Sequence, residues 1–218
     1  MKHGYIVFLL LLLLGCDNKI RMKSGCIRLE VFVYNDPGGN LHDSYRLPLS
    51  TLYFLGNEFI EQLSEMSGTA GFPPFAYIRE GMFAPLNGLT ENKEPLNFHP
   101  LSKKNFGAVF VNMPVPNYEN RVELPDTSFN GYSYRRIRIT SKEDYSVFYI
   151  HQTDSVLPFS LAPQVETDYG GILNRIDTYE FTNDRFISLR MHVSKGIPEL
   201  VYLTLKSNED ESLEQQTQ

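Results

Sequence analysis

The sequence predicts a β-rich α+β fold, an antiparallel sheet with one helix packed on it; a β-sandwich is the alternative arrangement. Three observations predict it. The 15 Phe and 13 Tyr among 218 residues weight the composition towards strands. Several short segments alternate apolar and polar residues between turn-forming clusters. Only one segment, Glu58 to Met66, carries a capped apolar stripe at helical spacing.

Taken in order, Cys26 to Tyr34 is the first strand, with Ile27, Leu29, Val31 and Val33 on one face. Asn35-Asp36-Pro37-Gly38-Gly39-Asn40 ends it with strong turn chemistry. Leu52 to Leu55 either extends the next helix backwards or is a separate strand; so short a run fits both. Asn57 is a suitable N-cap for a helix over Glu58 to Met66, where Phe59, Ile60, Leu63 and Met66 line one side and Gly68 stops it. Residues 68–105 are rich in Gly and Pro, with a short strand at Phe75 to Glu80. Phe106 to Met113, apolar nearly throughout, suits a central strand. Tyr132 to Thr140 and Tyr145 to His151 form a hairpin around Ser141-Lys142-Glu143-Asp144. Arg175 to Phe181, Arg185 to Val193 and Leu200 to Lys206 are expected as a three-stranded meander. Residues 207–218 read as a disordered acidic tail.

The N-terminus is built differently. Lys2 precedes Ile6 to Leu14, an unbroken apolar run of nine residues. A spanning helix needs roughly 20, so nine is the size of a signal-peptide core. Leu13-Leu14-Gly15-Cys16 follows and resembles the lipobox of bacterial lipoproteins. The resemblance covers this segment alone. It implies that residues 1–15 are a signal peptide and that Cys16 becomes the lipid-bearing, palmitate-accepting N-terminus of the mature chain. The bilayer would then be a partner through acylated Cys16. Residues 16–25 are the lipidated cysteine and a polar tether, and residues 26–206 form a single domain. Asp17 resembles the residue that retains enteric lipoproteins at the periplasmic face of the inner membrane; without that sorting rule the outer membrane is expected. Cys26 is then left without an intrachain partner and is expected as a small buried hydrophobe at a strand start.

Few classical chemistries are visible. The net charge of −6 gives no electrostatic footprint for nucleic acid. His42, His99, His151 and His192 each stand alone on their segments, so no metal site and no cofactor are expected. There is no GxSxG, SxxK or phosphate-loop pattern. His151, Asp154 and Ser155 are adjacent in sequence, which gives no support for a triad. No catalytic residue is assigned. The arginines carry more information. Alternation puts Arg136 and Arg138 on the strand face of Tyr132 and Tyr134, and Arg190 on the face of His192. A basic aromatic face in an acidic protein suits an acidic partner or a lipid headgroup; a solvated face with cross-strand ion pairs is the plainer alternative. The expected function is a membrane-anchored, non-catalytic binding module of the envelope with a protein partner there. A periplasmic immunity-type inhibitor of an antibacterial effector and a hydrolase with dispersed residues are the alternatives.

Overall fold

The computed structural model describes residues 19–34, 44–64, 71–89, 96–110, 112 and 114–216. The lipobox, Cys16 and the turn at 35–40 lie outside the described residues. The rest is a β-rich α+β fold, dominated by one open, antiparallel sheet of eleven strands. Its strands are β2 (Ser24–Tyr34), β3 (Ser44–Leu55), β4 (Glu58–Leu63), β5 (Phe75–Arg79), β6 (Met82–Leu86), β7 (His99–Pro100), β8 (Val122–Phe129), β9 (Tyr132–Thr140), β10 (Asp144–His151), β12 (Ile172–Glu180) and β13 (Arg185–Ser194). The spatial order is β7-β6-β5-β4-β3-β2-β13-β12-β10-β9-β8. Two hairpin series therefore meet where β2 pairs with β13, Leu29 opposite Met191. Beside the sheet, β1 (Ile20–Arg21) pairs in parallel with β11 (Ser155–Val156). So Ile20 and Arg21, within the expected tether, are held to the body of the domain.

One face of the sheet is apolar along its length. Ile27, Leu29, Leu52, Phe54, Phe59 and Ile78 make one cluster, covered by the irregular segment that carries Ala108 and by Phe159. Ile137, Phe148, Ile150 and Leu173 continue it under helix α1 (Pro163–Tyr169) through Val165. Each such side chain contributes about 1.5–3 kcal/mol on full burial. The reverse face is divided. Over β3 to β5 it is covered by helix α2 (Glu199–Gln216), whose Val201 and Leu205 pack on Ile60 and Tyr77. Over β2, β13, β12, β10 and β9 it carries arginine, tyrosine and carboxylate side chains instead.

The structure corrects four expectations. Glu58–Leu63 is a strand, not the start of a helix to Met66, which lies outside the described residues. It is buried on both faces: Phe59 and Leu63 point into the apolar core, and Ile60 meets α2. Two-sided burial removes the alternation that marks a strand, and the remaining spacing imitates a helix. Leu200 to Lys206 is not the third strand of a meander but the first part of α2. Val201 and Leu205, four apart, are buried, whereas Leu203 is 40% exposed, a helical stripe in a stretch that also alternates. The backbone stays helical through Gln216, where a disordered tail was expected. Phe106 to Ala108 and onward to Phe110 form no strand; Gly107 takes a left-handed φ of 64° and the segment lies across the sheet rather than in it. The helices packed on the sheet are thus α1 on one face and α2 on the other.

Glu166 of α1 ties that helix to the sheet, its Oε1 accepting from the Leu173 N–H at 2.7 Å. Burial pushes its carboxyl above the usual value, and the Ser160 and Leu173 hydrogen bonds only partly oppose this. A folded-state value above the unfolded one favours folding at acid pH, and the contribution is lost as pH rises through the folded value. Glu166→Gln keeps an acceptor and removes the charge. Thermal melts should show the variant more stable than the parent at pH 7, with the difference shrinking towards zero near pH 4. A constant difference at both pH values would contradict this.

Candidate functional site

The ladder between β12 and β13 runs from Glu180 opposite Arg185 to Arg175 opposite Arg190, and stops there. Beyond that rung β13 continues against β2 as far as Ser194, and β12 follows β10 back to Ile172. The parting coincides with an irregularity: Tyr149 faces Arg175 but Ile150 faces Leu173, which leaves Asn174 as an extra residue. Such a bulge bends its strand and ends pairing. Between the parted strands lies a cavity of about 410 Å³, within the range of small-ligand sites.

Arg190 and Arg175 stand at the head of this cavity, on the same face because they are cross-strand partners. Arg175 is neutralised. Its Nε donates to Asp177 Oδ1 at 2.7 Å, and its Nη2 lies 2.7 Å from Oδ2. Burial works against its charge, but the Asp177 fork holds the guanidinium above its ordinary range. Arg190 is held differently. Nε donates to Ser188 Oγ and Nη2 to Tyr34 Oη, each at 3.0 Å, and the guanidinium sits over the Phe32 ring at 4.3 Å. These partners are neutral, and among the described residues no carboxylate forms an ion pair with it. The nearby Glu30 is engaged by Arg46, with His192 Nε2 at 3.5 Å.

Aromatic rings form the next wall. Tyr134 stacks on Phe129 with centroids 4.0 Å apart. Tyr132 meets the His151 ring edge-on at 4.9 Å. Burial raises the Tyr134 hydroxyl above its usual value, so it stays protonated near neutrality. Met22, Ile172, Met191 and Val193 make an apolar side. Asn174 Oδ1 is buried without a hydrogen-bond partner, in a residue that lines the cavity. Such an atom costs about 1–3 kcal/mol. Among the described lining residues there are two arginines and two histidines but no Asp or Glu, in a chain of net charge −6.

Of the residues singled out from sequence, Tyr132, Tyr134 and Arg190 meet at this cavity. Arg136 and Arg138 do not line it. They lie farther along β9, towards its turn; Arg136 Nε donates to the Pro125 carbonyl at 2.8 Å, and Arg138 is exposed between Val122 and Val147. Ion pairs of the plainer kind occur on the same face, Arg46 with Glu30 and Arg175 with Asp177 among them, and Arg185 pairs with Glu180 at 2.8 Å on the opposite face. Arg175, Asn174, His151 and Met22 were not selected from sequence. Counting outwards from the turn between β12 and β13 would have paired Arg175 with Arg190; nothing in sequence places Met22 there.

His151 Nδ1 is 3.4 Å from the Ser133 carbonyl, and among the described residues no hydrogen bond joins it to Asp154 or Ser155. No group of three or more potential metal ligands occurs among the described residues. Cys26 is half-buried on its strand and burial pushes its thiol upward. No described helix is long and apolar enough to cross a membrane.

No family model matches the sequence, and no curated protein matches it. Solved structures give distant likenesses. PNGF-II in one crystal form is 9% identical with a TM-score of 0.36, over 83% of this chain and 29% of that one. In another crystal form it is 10% identical with a TM-score of 0.33, over 82% and 30%. The chain therefore spans under a third of the PNGF-II length. An outer membrane lipoprotein-sorting protein domain from Vibrio parahaemolyticus is 10% identical with a TM-score of 0.20, over 81% and 87%. At identities and scores this low, none of them carries an argument about what the chain does.

Proposed function

We propose that the protein is a lipid-anchored, non-catalytic binding module of the bacterial envelope, and that its ligand site is the cavity between β12 and β13. The anchoring half rests on the sequence, on Lys2, the apolar run and Leu13-Leu14-Gly15-Cys16. The binding half rests on one observation: Arg190, held by the neutral partners Ser188, Tyr34 and Phe32, faces a cavity that has no carboxylate among its described lining residues. An arrangement of that sign selects anions. The ligand is an anion presented by an envelope partner or by a small molecule.

Each half has its own test. Cys16→Ser should abolish palmitate labelling and release the protein from membranes; a variant that still labels overturns the anchor. For the site, a panel of carboxylates, sulfated sugars and phosphate esters is screened by thermal shift. At least one member should raise the melting midpoint of the parent and not that of Arg190→Gln. Arg185→Gln, whose ion pair lies at the far end of the same strands, should respond as the parent does. If no member shifts the parent, or if Arg190→Gln responds equally, the cavity is not the site.

A further inference from the structure

We infer that the cavity takes a phosphate ester, and that its source is the headgroup of an anionic membrane lipid. This deepens the proposed function and rests on it. Three observations carry the inference.

The first is donor geometry. A guanidinium has five N–H donors. Arg190 uses two, on Ser188 and Tyr34, and Arg175 directs one edge at Asp177. Donors remain on both sides of the last rung of the ladder. A carboxylate, with two oxygens, is satisfied by one guanidinium fork. A phosphate ester carries at least two non-bridging oxygens on a tetrahedral phosphorus, with ester oxygens beside them, so its acceptors diverge and reach both strands at once. His151 and His192 also line the cavity, with one ring nitrogen of each already directed at Ser133 or Glu30. The second is amphiphilicity. Besides the arginines, the apolar Met22, Ile172, Met191 and Val193 and the polar Asn174 line the cavity. An anion carrying a polyol and an apolar arm matches all three parts; inorganic phosphate matches only the first.

The third is position. Met22 lines the cavity and stands six residues after Cys16. Six residues reach about 20 Å at most. The pairing of Ile20 and Arg21 with Ser155 and Val156 fixes this edge of the domain, and leaves Ile20 68% and Val156 36% exposed. A lipid on Cys16 therefore keeps the cavity and its neighbouring apolar residues at the headgroup layer.

The test uses the lipidated, full mature protein in a neutral detergent and titrates two probes by calorimetry, dihexanoyl phosphatidylglycerol and glycerol 3-phosphate. The lipid should bind saturably and at least about tenfold more tightly than glycerol 3-phosphate, and Arg190→Gln should weaken it at least about tenfold, as loss of a charge-assisted contact does. Met22→Ser should weaken the lipid and leave glycerol 3-phosphate unchanged. Equal affinity for the two probes, still dependent on Arg190, upholds the phosphate-ester site and assigns it to a soluble ester rather than a lipid. Absence of saturable binding by either probe, or binding unaffected by Arg190→Gln, overturns the inference. If carboxylates or sulfates shift the melting midpoint in an Arg190-dependent way while both phosphate probes fail, the binding-module reading stands and this inference alone falls.

Discussion

Lys104→Met is expected to destabilise the fold by about 3–5 kcal/mol, more than any charge removal on the arginine face. Glu61 lies on the apolar face of the sheet, between Leu52 and Ala76, and is fully buried. Lys104 reaches it from the overlying segment: Nζ sits 2.7 Å from Oε2, with side-chain exposures of 2% and 0%. Nζ also donates to the carbonyls of Phe106 and Ala108, and Glu61 Oε1 accepts from the Ala108 N–H. This pair therefore pins the irregular cover of the core to its centre. Burial lowers the Lys104 ammonium below its usual value despite the partner carboxylate, so the pair sits in a costly environment for charge. Removing only the lysine leaves Glu61 charged and unpaired there. Glu61→Gln in the same chain keeps an acceptor for Ala108 and removes that charge. The double variant should recover more than half of the loss, since contacting residues are not additive. At about 2–4 °C per kcal/mol for a domain of this size, the single variant should melt about 10 °C lower. A shift of under 2 °C in Lys104→Met would show that the cover does not depend on the pair.

The Glu61–Lys104 pair also shows where sequence reading stops. Its partners come from a segment read as a helix and from a Gly/Pro-rich loop, so neither suggested the other. Of the strands that were legible, β5 stands between Gly/Pro-rich stretches and is buried on both faces, whereas β2, β9, β10, β12 and β13 share one property: one face packs in the core and the other carries arginines, tyrosines or carboxylates. Their alternation is the direct imprint of that asymmetry. Strand β4 lacks it, because α2 covers the face opposite the core. The start of α2 has the opposite fault, since Val201, Leu203 and Leu205 alternate by chance within a helix. Phe106 and Phe110 are apolar because they lie on the sheet, which composition cannot separate from lying in it. For the site, alternation placed Tyr132, Tyr134 and Arg190 on the correct face. It fixes the face and not the distance along the strand, so it also admitted Arg136 and Arg138. The cavity itself arises from a bulge at Asn174 and from Met22, and no periodicity reports either.

Gly171→Ala is the second large effect, and it bears on that same parting of strands. Gly171 precedes β12 with φ of 113°, and a Cβ there would stand 2.2 Å from the His151 carbonyl oxygen. That oxygen is backbone, in the strand that pairs with Ile172, so a side-chain rotation cannot relieve the contact. The φ alone lies where L residues carry strain of about 1–3 kcal/mol; the clash forces the β10–β12 pairing apart in addition. A loss of about 3 kcal/mol or more is expected. Gly170 is the control. Its φ is 64° with ψ 137° and a Cβ there meets nothing within 4 Å, so Gly170→Ala should cost only its backbone strain of about 1–3 kcal/mol, with no clash added. The two variants also separate stability from binding. His151 and Ile172 both line the cavity, and moving β12 away from β10 displaces one against the other. Gly171→Ala should therefore weaken anion binding at temperatures where circular dichroism still shows a folded sheet, while Gly170→Ala binds as the parent does. Equal melting points for the two variants would mean that β12 does not enter the sheet at Ile172. A folded Gly171→Ala that binds as the parent does would place the ligand away from the parting of β12 and β13.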